Sequence, residues 1–151
     1  MNRIWLFLHL LGFVLWLGGA LAAMVMGVAA KHEDRDGLAA TVRAQAAVHR
    51  AAILPGALLT VLSGLVLTFR VMGDVYAGNN GWLILMQAAG IVAALVTLFI
   101  SVPTAARLAR LDPTGQTAAY FDELRARQRL VASVAGTLGL VALFAGAALR
   151  Y

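Results

Sequence analysis

The chain contains no cysteine. That excludes disulfides, thiolate metal sites, iron–sulfur clusters and haem attached through Cys-x-x-Cys-His. Charge is scarce as well: 13% of the 151 residues are Asp, Glu, Lys or Arg, where a soluble domain carries about 25%. Acid is the scarcest. The seven carboxylates are Glu33, Asp34, Asp36, Asp74, Asp112, Asp122 and Glu123, and none lies inside a long apolar run. Proton and cation pumps usually place Asp or Glu at mid-membrane, so the pattern argues against a carboxylate-driven transporter. It also gives no support to the carboxylate pair of a hydrolase or to a Ser/His/Asp triad.

What is present is apolar residue in blocks, 62% of the chain. A hydrocarbon core about 30 Å thick needs ~20 apolar residues as a helix. Four stretches meet that length: Ile4–Ala30, Ala51–Met72, Trp82–Val102 and Leu130–Leu149. They are too long, and alternate too little, for barrel strands. Arg3, the apolar Ile4–Trp16 and Ala20-Leu21-Ala22 resemble a signal peptide. The apolar run continues to Ala30, so the segment reads as a retained helix. The expectation is an all-α membrane protein, one domain over residues 1–151, folded as a four-transmembrane-helix bundle.

The net charge of +5 invites a nucleic-acid reading. The cations lie at the ends of apolar runs, where they orient membrane helices instead. Of the 12 basic residues, nine (Lys31, Arg35, Arg43, Arg50, Arg107, Arg110, Arg125, Arg127 and Arg129) flank the first and third connections. Arg3, Arg70 and Arg150 are on the other side. Both termini are therefore expected on the outer (periplasmic) side of a bacterial inner membrane, with Trp5, Tyr76, Trp82 and Tyr151 at the outer interface. Gly78-Asn79-Asn80-Gly81 reads as the outer turn, and Asp112-Pro113 with Gly115 as an inner one. Gly37–Arg50 and Thr117–Arg129 lack helix breakers and read as helical extensions of spans two and four. Pro55-Gly56 and Pro103 should kink or end helices near span ends.

Small residues at helical spacing mark packing faces, because lipid supplies no hydrophobic drive between helices. Span one shows His9, Gly12, Trp16, Gly19, Ala23 and Gly27. Span three shows Met86, Gly90, Ala94, Thr97 and Ser101, and span four Ser133, Gly136, Thr137 and Gly146. His9 lies about 8 Å below Ile4 on such a face, and an intramembrane ionisable side chain is a functional candidate by default. Its plain alternative is a neutral imidazole bonded to a neighbouring helix. Met86 lies about 6 Å below Trp82, near the same depth, with Gln87 beside it. Haem iron accepts His with Met, two His, or one His. Arg3, Arg70 and Arg150 lie on the side where haem propionates would need cations. His49, roughly 30 Å deeper, reads as a solvated or interfacial residue, and His32 as a solvated one.

Leu8-His9-Leu10-Leu11-Gly12-Phe13-Val14-Leu15-Trp16-Leu17-Gly18-Gly19 resembles the first helix of the small bacterial membrane protoporphyrinogen IX oxidases. It also resembles the wider group containing the membrane domain of copper-resistance protein D. The shared pattern is a His, a Trp seven residues on, and a small-residue pair soon after. His49-Arg50 through Pro55 to Gly64-Leu65 is similar to the group's second helix, and Trp82-Leu83 to the start of its third. The resemblance implies a haem b protein with His9 as axial ligand. The oxidases carry Lys four residues after the third-helix Trp, where this chain has Met86. Their last helix carries Asn-Glu-x-Pro, which Arg127-Gln128-Arg129 does not reproduce.

The leading expectation is a haem b-binding membrane protein of electron transfer or oxidation. His9 and Met86 would be the metal ligands, and Trp16, Gln87, Arg3, Arg70 and Arg150 would line the cofactor. An enzyme of this kind would be an oxidoreductase resembling protoporphyrinogen oxidase. A sixth-position Met would raise the iron's potential and close the open site that oxygen chemistry needs. Copper handling is the first alternative, since Met24, Met26, Met72 and Met86 carry soft sulfur. A cofactor-free accessory or assembly subunit is the second. Beyond the lipid bilayer, a porphyrin or a quinone is the expected small-molecule partner. A homo-oligomer is an alternative to the monomer, and nucleic acid is not a partner.

Overall fold

The computed structural model describes residues 2–75 and 81–148. Helix α1 runs over Asn2–Ala29 and ends in a short 3₁₀ turn, Ala30–His32. Helix α2, Arg35–Val48, starts at Asp34, whose carboxylate accepts the Gly37 N–H at 2.8 Å. That contact caps one of the amides left unpaired at a helix start. A five-residue π turn, His49–Ile53, joins α2 to α3, Leu54–Val75. Helix α4, Gly81–Val96, passes through a second π turn, Thr97–Ser101, into α5, Val102–Leu108. Asp112 then accepts from both the N–H and the hydroxyl of Thr114. Gly115 adopts φ 64°, where a side chain would be strained. Helix α6 covers Ala118–Ala148.

Four of the resulting helical runs are long and apolar enough to cross a membrane. The expected extensions of spans two and four are helical, as α2 and the start of α6. The outer turn at Gly78-Asn79-Asn80 lies outside the described residues, as do Tyr76, Arg150 and Tyr151.

The prolines do not end their helices. Pro55 and Pro103 each follow a π turn by two residues. Proline brings no N–H, and its ring clashes with the carbonyl four residues back. The wide turns meet that demand with bonds one residue longer: Leu54 N–H donates to the His49 carbonyl, and Val102 N–H to that of Thr97.

Packing divides the bundle into two antiparallel pairs, α1 with α3 and α4 with α6. The first seam is backbone-close. A Cβ placed on Gly12 would meet Thr60 at 2.7 Å, and one on Gly56 the Trp16 amide nitrogen at 2.5 Å. Further along, Gly19 faces Ile53 and Gly27 faces Gln45. The expected span-one face is therefore the buried one. In the second pair Gly90 faces Ala142 and Gly146 faces Met86. The span-four face differs from expectation. Ala135, Gly139, Ala142 and Ala145 are buried, whereas Ser133 and Thr137 are exposed and Gly136 has open space around it.

Trp16, Ile53, Ala57, Ala93 and Ala94 join the two pairs at the centre. At the end bearing the connections near residues 30–35 and 109–117, here the basic end, Ala30, Leu38, Val42, Leu108, Phe121 and Leu124 form a second core. Over it, Arg35 pairs with Asp122 at 2.9 Å. The opposite end, where α1 begins and α6 finishes, is the terminal end.

Candidate functional site

His9 is half-buried in the terminal half of α1 and faces α3. Its Nδ1 lies 2.9 Å from the Thr60 carbonyl oxygen and 3.3 Å from Ser63 Oγ. A carbonyl only accepts, so Nδ1 carries the proton and Nε2 keeps its lone pair. Glycine at 64 makes this approach feasible, since a Cβ there would sit 3.0 Å from the imidazole. Thr60 and Ser63 turn their own hydroxyls back to Gly56 and Leu59 carbonyls. No hydroxyl proton is therefore spent on His9.

One turn further along α3, Thr68 accepts a hydrogen bond from Gln87 of α4 at 3.0 Å. Gln87 is thus the α4 side chain tied to the same stretch of α3 as His9. Met86 is not. Its sulfur lies against Gly146 of α6, 3.1 Å from where a Cβ would be. Helices α1 and α4, which the depth argument sets side by side, belong to different pairs. Equal depth does not fix direction: one residue of offset turns a side chain about 100° around its helix.

The remaining expected residues scatter. Trp16 is 4% exposed and packs edge-to-face on Phe13, with centroids 6.5 Å apart. It belongs to the central core. Arg3 and Arg70 are exposed toward the terminal end, and Arg150 lies outside the described residues. Met24 is exposed on α1, in its half nearer the basic end, whereas Met86 lies against Gly146 toward the terminal end. The described residues do not gather three His, Cys, Asp or Glu side chains around one point.

A second polar site is more completely built than the first. His49 is 6% exposed, buried rather than solvated. It opens the first π turn, and Ser101 closes the second. His49 Nδ1 donates to the Gln45 carbonyl at 2.8 Å. Its Nε2 lies 3.1 Å from the Gln128 amide nitrogen and 3.3 Å from Ser101 Oγ. Gln128 also donates to Ser101 at 2.8 Å. One amide group therefore serves both neighbours, and its carbonyl oxygen is buried without a partner among the described residues. The site draws one residue from each of three helical runs, α2–α3, α4–α5 and α6. Measured along α3 from His49 to Thr60, the two histidine sites stand about 17 Å apart in depth, less than the core thickness first assumed. They cannot share a metal.

The sequence reading did not foresee this second site. Its one available signal was the repeated arrangement of a polar residue a few positions before a proline, His49 before Pro55 and Ser101 before Pro103. Wide turns of this type occur frequently at functional sites. No family model, curated protein or solved structure matches the chain.

Proposed function

We propose that the chain is a multi-pass protein of a bacterial inner membrane, with its termini on the periplasmic side, that binds haem b through His9 Nε2. The single observation that carries this reading is the His9 Nδ1 bond to the Thr60 carbonyl. Metal-ligating histidines almost always donate their other ring nitrogen in this way, which fixes the tautomer and the ring plane. Arg3 and Arg70 would meet the propionates. Haem held there would supply a one-electron couple and, with one protein ligand, an iron position open to a small molecule. Met86 faces α6, so the preference for electron transfer that a sixth-position Met would give falls away. Oxidation, including a porphyrinogen oxidase reaction, stands level with it.

The test is the visible spectrum of protein produced with ample haem. A Soret band is expected, lost in His9→Ala and kept in His49→Ala. Met86→Ala should leave the band unchanged, where a ligand would alter spin state. Absence of the band from the wild type, or its survival in His9→Ala, would remove the reading.

The proposed orientation rests on the nine basic residues at one end. Single cysteines introduced at Asp36 and Asn79 test it in this cysteine-free chain. An impermeant reagent outside the cell should label position 79 alone.

One observation favours a second reading, the cofactor-free accessory subunit. The seam between α1 and α3 is closely packed: Gly64 lies against the His9 ring, and Gly12 and Gly56 bring the two backbones together a turn or more further on. In that case His9 pins two helices together and does no more. The same spectra decide between them.

A further inference from the structure

We propose that the groove between α4–α5 and α6 at the basic end is a seat for one anionic phospholipid, its phosphate between Arg107 and Arg127 and one acyl chain along Phe99 and Ile100. The groove has a volume of about 180 Å³. It is lined by the exposed ring of Phe99, on the membrane-crossing part of the helix, by Ile100 and Pro103, and by the two arginines, Arg127 beginning level with Pro103 and Arg107 one turn nearer the basic end. Its lining thus joins apolar side chains to cationic ones, as a lipid joins its tail to its headgroup.

Three features point to a bound anion rather than to cations that merely orient the helix. First, Arg107 and Arg127 come from facing helices, α5 and α6, and line one groove. Second, neither makes a hydrogen bond or ion pair with any described residue, although Arg35 at the same end is paired with Asp122. The Tyr120 hydroxyl at the rim is also unengaged. Third, the neighbouring cleft provides a contrast. It is lined by Arg43 and Arg110 but also by Asp36 and Asp112, so its formal charges cancel. The proposed seat holds two Arg against Glu123 alone and keeps one positive charge. Cationic pockets between membrane helices on the inner side bind phosphate headgroups by this chemistry. Thr104, buried at the groove wall, and Leu124 beneath it complete the lining. The inference needs the membrane placement but not the haem.

The test is native mass spectrometry of the full chain released from nanodiscs of equal parts phosphatidylglycerol and phosphatidylcholine. The wild type should retain phosphatidylglycerol selectively. Arg107→Gln combined with Arg127→Gln should lower retention about tenfold. Arg43→Gln combined with Arg110→Gln removes the same charge from the neighbouring cleft and should lower it little. Phe99→Ala, at a ring that is 72% exposed, should weaken retention with the charge untouched. Equal loss from the two arginine pairs would show bulk charge attraction and overturn the seat. So would equal retention of the two lipids, or retention unchanged in Phe99→Ala. Displacement of the lipid by inorganic phosphate would assign the groove to a soluble anion instead.

Discussion

At the terminal end His9 donates through Nδ1 to the Thr60 carbonyl, and at the basic end His49 donates through Nδ1 to that of Gln45. The first bond crosses between helices, whereas the second stays within its own. The larger difference is at the other nitrogen. Nε2 of His49 is enclosed by Gln128 and Ser101. Nε2 of His9 belongs to no hydrogen bond in the described chain. The surroundings differ in the same sense. His9 sits on a seam of glycines that brings two backbones together, and His49 sits where two widened turns meet a third run around a polar group. A buried polar network stabilises its host only when every member is satisfied, and Gln128 leaves one oxygen over. The comparison separates a histidine whose second nitrogen is engaged by the protein from one whose second nitrogen makes no hydrogen bond with the described residues.

The seam should be the more fragile of the two. Gly56→Leu drives a side chain into the Trp16 backbone, which has no flexible end to move aside. A loss of about 3 kcal/mol or failure to assemble is expected. Gly136→Leu, at a glycine with open space around it, should shift unfolding by less than about 0.5 kcal/mol. Unfolding midpoints in mixed detergent read both, and equal values would refute the seam.

Next come the histidines themselves. His49→Leu removes the bond to the Gln45 carbonyl and the Nε2 acceptor facing Gln128, leaving only the Gln128–Ser101 bond, and should cost about 2–3 kcal/mol. His9→Leu removes a single bond and should cost about 1 kcal/mol. The reverse order would mean that His9, not His49, holds the bundle together. The smallest effect is expected at the surface. Arg35 and Asp122 are about half exposed, at 49% and 47%, and an exposed pair gains little against solvent and salt. Arg35→Gln should leave the unfolding midpoint where it is, and a clear shift would show that the basic-end core depends on the pair.

These contrasts also mark what could be read from sequence. The four spans, the helical extensions before spans two and four, and the buried face of span one all follow from hydropathy and small-residue spacing, which are local. The turn at Asp112 to Gly115 is local too. What escaped depends on other helices. His49 lies before the first fully apolar turn of its span, and counting along the chain puts it at the interface. It is buried because Ser101 and Gln128, 52 and 79 residues away, come to it. Met86 was placed by depth, and depth says nothing of which neighbour a side chain faces. On span four, Ser133, Gly136 and Thr137 looked like packing residues because they are small. Lipid accepts small residues as well, and the helix buries Ala135, Gly139 and Ala142 instead.

The run from Arg35 to Arg70 is one helical rod, 36 residues long. Its backbone ladder changes spacing only at the wide turn beginning at His49. Taken as a lever with that turn as fulcrum, it has an arm of about 21 Å to Arg35 and about 17 Å to Thr60, at 1.5 Å per residue. A swing of the surface end would thus arrive at the His9 anchor reversed in direction and slightly reduced in size.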